Sequence, residues 1–197
     1  MNQYEIVSLV KESDAAPIEV ALEHTYLQTP ESVHGKAALC ATEDALRVHM
    51  ELCCSEIRAV EEGPLGMPCQ DSCMEFFFCP MPNDDRYFNF EWNANGCLFL
   101  GMGSSIADLT RLIVEEKEAL FLPRIQRNAS GWTLDYRIPY AFIRRFFPDF
   151  QPEGVIRGNF YACSDLSDPP YYLSWSPIVG DPFSYHRTEC FGQLRFS

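Results

Sequence analysis

Apolar and polar residues alternate over short stretches of this chain, and clusters of Gly, Pro, Asn and Asp separate the stretches. In segment 45–54, Leu46, Val48, Met50 and Leu52 fall on one side of an extended chain and Arg47, His49 and Glu51 on the other, because successive strand side chains point to opposite faces. Segment 73–79 sets Met74, Phe76 and Phe78 against Glu75 and Phe77. Segment 87–93 sets Phe88, Phe90 and Trp92 against Asn89, Glu91 and Asn93. Segment 155–163 groups Arg157, Asn159 and Tyr161, with Ile156, Gly158 and Phe160 behind them. Turn signals recur at 42–44, 63–64, 80–85, 95–96, 128–131 and 168–170. Short alternating strands punctuated this way predict an all-β fold, an antiparallel β-sandwich of jelly-roll type. Two short helical excursions are expected as well. One covers 106–118, and the other covers 140–147, entered behind Pro139 and stopped at Pro148.

The polar faces of these strands have an unusual composition. One face of an antiparallel sheet is commonly solvated, and Lys, Thr and Ser would then dominate it. Here it carries Glu75, Asn89, Glu91, Asn93, Arg157 and Asn159, and lysine is scarce throughout. Short amides and a planar guanidinium make directional hydrogen bonds. Such a face serves either as a binding surface or as plain solvated sheet, and alternation alone leaves both open. Nine of the 27 aromatic residues lie in 159–197, mixed with Asn, Asp, Ser, Arg and His. Rings beside hydrogen-bonding groups suit a ligand with C–H faces and hydroxyl edges, such as a sugar, though a sandwich core and rim would have the same mixture.

Composition narrows the field. A chain of 197 residues reads as one domain, 1–197, long enough to bury roughly 70% of its unfolded surface without a metal or disulfide staple. Its net charge of −13 opposes nucleic acid and anionic membrane surfaces and leaves a neutral polar ligand unaffected. No apolar run reaches the ~18–20 residues of a membrane span, and Met1 to Glu5 carries no basic leader. A cytoplasmic location is the expectation. The nine cysteines, an odd number, sit mostly in apolar segments (Cys53, Cys54, Cys79, Cys97, Cys163) and read as reduced buried thiols. Cys69–Cys73 and His186–Cys190 are each four apart, without the paired spacing of a zinc site.

The run Asp71 to Phe78, then Tyr87 to Asn93 with Asn95-Gly96, resembles the strand pair of the family 9 carbohydrate-binding modules. Further motifs follow in the same order: Gly131-Trp132 to Ile138-Pro139-Tyr140, Arg157 to Tyr161, Ser174 to Pro177, Pro182 to Arg187, and Phe191 to Phe196. The resemblance covers roughly 45–197. It implies a β-sandwich that grips sugars without chemistry, between aromatic rings and beside structural calcium. The better-known modules are joined to secreted xylanases, whereas this chain reads as a free-standing one.

The candidate contacts follow from residue chemistry. Trp175 offers a broad ring for stacking on a pyranose, or a core ring, while the phases of Trp92 and Trp132 favour the core. Glu75 can accept from vicinal hydroxyls, or pair with Arg157 or Arg58. Asn159 and Arg157 share a face two residues apart, with Asn93 on the neighbouring hairpin and Tyr161 beside them. His186 either closes a binding loop or braces the backbone. Calcium is the candidate cation, at Asp84-Asp85 or Asp165 with Asp168, although neither cluster has the interleaved spacing of a dedicated loop. Two alternatives remain. The aromatic face can be a protein interface, including a homodimer. Glu75 and Glu91 on adjacent strands are also the minimum kit for glycoside hydrolysis, though no acid, base or nucleophile motif accompanies them.

Overall fold

The computed structural model describes residues 1–8 and 18–197. Its strands are β1 (Gln3–Ser8), β2 (Glu19–Ala21), β3 (His24–Tyr26), β4 (His34–Ala41), β5 (Ala45–Cys53), β6 (Cys73–Cys79), β7 (Tyr87–Asn93), β8 (Leu98–Gly103), β9 (Thr110–Arg111), β10 (Arg124–Asn128), β11 (Gly131–Pro139), β12 (Val155–Ser164), β13 (Tyr171–Ser174) and β14 (Gly192–Phe196). Two short helices, α1 (Lys117–Phe121) and α2 (Tyr140–Ile143), interrupt them.

The strands form the two layers of a β-sandwich. The first runs β9-β8-β7-β6-β12-β14, with β13 and then β3 continuing from the far half of β12. The second runs β10-β11-β5-β4, with β2 on β4. Strand β1 joins the layers, since Gln3 to Ile6 pair with β14 and Val7 and Ser8 pair with β4. Both β1 pairings are parallel, a departure from the wholly antiparallel expectation. Parallel neighbours need a long connection, and β1 and β14 stand at opposite ends of the chain.

The alternation read from the sequence sets the core. Leu46, Val48, Met50 and Leu52 of β5 face Phe76, Phe78, Phe88, Phe90 and Trp92 of the first layer, all essentially without water contact. Phe76 stacks on Phe78 at 4.9 Å and on Phe160 at 4.7 Å between ring centroids. Trp92 and Trp132 both lie in this core. Phe121 of α1 and Phe142 of α2 insert against each other at 5.3 Å, so the helices fill the space beside the sheets.

The expected helix over 106–118 is a correction. The carboxylate of Asp108 accepts from the backbone N–H groups of Ser104 and Ser105, which fixes a tight turn. Thr110 and Arg111 then pair with β8, and helix begins only at Lys117. The second excursion exists but is shorter than 140–147, ending at Ile143.

The outer face of the first layer is not a solvated face either. All seven residues of β6 and all seven of β7 are buried. Segments after β13 and after β8 lie over that face, and a second apolar cluster forms there around Phe77, Tyr87, Tyr161, Tyr185 and Phe191.

Candidate functional site

Between that covered face and its covering segments lies a cavity of about 380 Å³. Strands supply its floor. Glu75 comes from β6, its cross-strand partner Glu91 from β7, and Cys163 from β12. Loops and strand ends supply its rim: Phe99, Ile106, Leu109, Tyr172, Phe183 and His186. Among the described residues no Lys or Arg lines it. The nearest cation to act on it is Arg111, whose guanidinium sits 4.5 Å from the Phe99 ring centroid and favours the charged form of Glu91.

The floor is acidic in composition and buried. Glu75 is 2% and Glu91 6% exposed. Burial raises both carboxyls above the usual carboxylate range, and the neighbouring Glu91 raises Glu75 further. The Cys163 thiol donates to Glu75 Oε1 at 3.0 Å. Glu91 is buried with Asn89 as its hydrogen-bonding neighbour, which favours its charged form against burial. A carboxyl held protonated both donates and accepts, which suits it to a hydroxyl.

His186 closes one side of the cavity. Burial lowers it to about 4, so it is neutral near pH 7, and its Nδ1 shares a hydrogen bond with the Tyr87 hydroxyl at 2.6 Å. Its loop is held from beneath. Tyr161 stacks on Tyr185 at 4.1 Å and 13°, and the Tyr161 hydroxyl donates to the Tyr185 carbonyl at 3.0 Å.

Of the residues singled out from sequence, Glu75 and His186 line the cavity, and Tyr161 backs the ring that walls it. The other four are placed elsewhere. Trp175 is 4% exposed and packs in the inter-sheet core against Tyr4 and Phe160. Tyr171, Leu173 and Trp175 share one strand phase and all point inward, while Gly192 leaves room for the indole. Asn159 accepts from Ser176 N at 2.8 Å and donates to Ser176 O at 2.9 Å, splinting that segment to β12. Asn93 donates to Asp71 and accepts from the N–H groups of Asn95 and Cys97, which spends its amide on the hairpin turn. Arg157 pairs with Asp85 at 3.1 Å. Arg58 is engaged by Asp71 at 3.4 Å, and neither arginine forms the ion pair weighed for Glu75.

Sequence reasoning missed the rim. Phe99, Tyr172 and Phe183 are half-buried rings at the cavity. For Tyr172 the signal was present, since it alternates out of phase with the inward Tyr171 and Leu173. Phe183 sits in a loop, where no periodicity marks direction.

The calcium candidates do not gather. Asp84 is engaged by Arg86 and Asp85 by Arg157. Asp165 lines this cavity, whereas Asp168 lines a separate one of about 500 Å³. Among the described residues, the two clusters that bring three ligating side chains together are Cys73–Glu75–Cys163 and Glu19–His49–Glu51. Both contain sulfur or nitrogen, which does not fit a cation that takes six to eight oxygens.

Comparison with known proteins gives a consistent family. The profile of carbohydrate-binding family 9 matches residues 13–196. A protein from Bacteroides uniformis, provisionally described as carbohydrate-binding, is 24% identical and superposes with a TM-score of 0.82 over 99% of both chains. A family 9 module from Caldicellulosiruptor kristjanssonii in complex with glucose is 11% identical, with a TM-score of 0.66 over 100% of this chain and 96% of that one. The same organism's family 9 module in complex with cellotriose gives 11% and 0.66 over 99% and 93%. Comparison with curated proteins finds no match.

Proposed function

The chain belongs to carbohydrate-binding family 9, and from that premise we propose that it binds a mono- or oligosaccharide in the cavity on the outer face of the first layer, without chemistry. The observation that carries this is the pairing of a carboxyl floor with a ring-bearing rim. Glu75 and Glu91 stand below, and Phe99, Tyr172 and Phe183 stand around the mouth. Sugar C–H faces pack on rings, and hydroxyls pair with the carboxyls. The volume is in the range of small-ligand sites. Solved family 9 modules that hold glucose and cellotriose share the fold. A neutral ligand also suits a chain with a net charge of −13. Trp175, Asn159 and Asn93 act in this reading as framework, and Glu75, Glu91, Phe183 and His186 as contacts. Among the described residues no helix is long and apolar enough to cross a membrane.

Calorimetric titration with glucose, cello-oligosaccharides and other sugar classes tests the reading. One class should saturate, and Phe183→Ala and Glu91→Gln should each weaken it roughly tenfold, in line with about 1–3 kcal/mol for a buried polar contact. Absence of saturation by any class at millimolar concentration, or unchanged binding in both variants, would overturn it. A second reading has one observation of its own. Ile106, 66% exposed, and Met67, 36% exposed, put aliphatic surface at the mouth, as an interface between copies would. Sedimentation showing a concentration-dependent mass that sugars leave unchanged would favour that reading.

A further inference from the structure

A second constellation reaches from the cavity floor, where Glu75 and Cys163 line it, to buried Cys73 beneath. Cys163 of β12 stands directly opposite Cys73 of β6, and Glu75 lies two residues along β6 on the same face. One ligating atom from each of the three lies within 4.8 Å of the others, and all three residues are buried. Glu91, across from Glu75, lines the same cavity with Asn89 beside it on β7. Cys69 and Asp165 add a further thiol and carboxyl to the wall, which among the described residues no Lys or Arg lines.

Such a set has the wrong atoms for calcium and the right ones for a softer ion. A tetrahedral zinc with sulfurs at about 2.3 Å and a carboxylate oxygen at about 2.0 Å holds its donors roughly 3.3–3.9 Å apart. Small rotamer changes bring three atoms within 4.8 Å to that spacing. We propose that Cys73, Cys163 and Glu75 form a binding site for a thiophilic divalent cation, zinc foremost, with the fourth position turned to the cavity beside Glu91.

Binding displaces three protons to solvent, one from each thiol and one from the Glu75 carboxyl, and forms two metal–sulfur bonds and one metal–oxygen bond. One dication replaces three protons, so the site's net charge falls by one. Affinity therefore rises with pH. The ligands escape a linear motif because they come from two strands, paired by alternation on one and by register across to the other. The inference does not depend on the carbohydrate reading, since metal uptake is measured without sugar.

The test uses the full chain, reduced and freed of metal by chelation. Titration with Co²⁺ should give a sulfur-to-cobalt charge-transfer band that saturates at one equivalent and is displaced by Zn²⁺. Cys163→Ser should abolish the band and weaken zinc by more than the roughly 10–100-fold cost of losing an outer-shell partner. X-ray absorption at the zinc edge of the unmutated protein should read two sulfur neighbours, which keeps the test valid should the variant fail to fold. The proposal is overturned by the absence of a band, or by an edge spectrum with only oxygen and nitrogen neighbours. An undiminished band in Cys163→Ser would overturn it too, because adventitious binding at other thiols such as exposed Cys53 would then account for it. A Cys73–Cys163 disulfide in protein purified without reductant, detected by peptide mass, would likewise overturn it.

Discussion

Glu75 and Glu91 face each other across β6 and β7, away from water, and both are thereby held above the usual carboxylate range. His186, at the same cavity, is pushed the other way, to about 4. These shifts have opposite consequences for stability. A carboxyl raised by folding contributes stability that is present below about pH 4.3 and lost as pH rises through its raised value. A lowered histidine contributes stability that is full above about pH 6.5 and lost as pH falls toward its folded value. In metal-free protein the two opposed terms overlap between those limits, so Glu91→Gln should leave the histidine term more exposed. Its stability by urea unfolding should climb more steeply from pH 4 to 6.5 than that of the parent, and equal slopes would count against the buried-carboxyl account. Single residues were the least legible scale in the sequence. Glu75 and His186 line the cavity, but Asn159 and Asn93 spend their amides on the chain itself. An amide's partner cannot be read from its own strand phase.

At the level of elements, alternation did most of the explaining. Residues 46–52 and 88–92 bury the alternate side chains that their pattern assigns. A failing pattern had an identifiable cause at 106–118, where side-chain oxygens of Asp108 capture backbone donors and outcompete helix. Phe76, stacked on two rings of the core, should cost about 3–5 kcal/mol on Phe76→Ala, checked by denaturant unfolding. Asn159→Ala is the sharper probe. It strips both hydrogen bonds to Ser176 and should cost about 1–3 kcal/mol while leaving sugar affinity within a factor of two or so. A large loss of affinity at unchanged stability would return Asn159 to the binding site. The outer face shows the limit of pattern reading: Asn89, Glu91 and Asn93 alternate as a solvated face does, yet all three are buried. Burial there comes from segments elsewhere in the chain, such as the one after β8 and the loop bearing His186, whose Nδ1 pairs with Tyr87 at a separation of 99 residues.

For the whole molecule, β1 has the widest reach. It pairs with the last strand and with β4, and so stitches one layer to the other. Tyr4, whose hydroxyl donates to the Leu39 carbonyl at 3.0 Å and whose ring meets Trp175 edge-on, adds side-chain ties across the same seam. Deleting residues 1–8 should lower the melting temperature sharply and leave β14 and β4 with open edges, which invite pairing between chains. Calorimetry and size-exclusion chromatography would read both effects, and an unshifted monomeric transition would refute the stitch. The sandwich class was legible from strand spacing and turn chemistry. The order of strands was not, because β1–β14 and β12–β6 are contacts between distant segments that no local pattern encodes.

The cavity divides along a line that follows the fold. Glu75, Glu91 and Cys163 stand on paired strands whose opposite faces make the core, whereas Ile106, Phe183 and His186 hang on connecting segments. Inheritance should treat the two halves differently. A change in the floor also disturbs the scaffold, so it will be slow and rarely tolerated. A change at Ile106, which is mostly exposed, touches little else, and descendants of this chain can acquire a new diet by trading side chains at the mouth while the machinery beneath stays as it was.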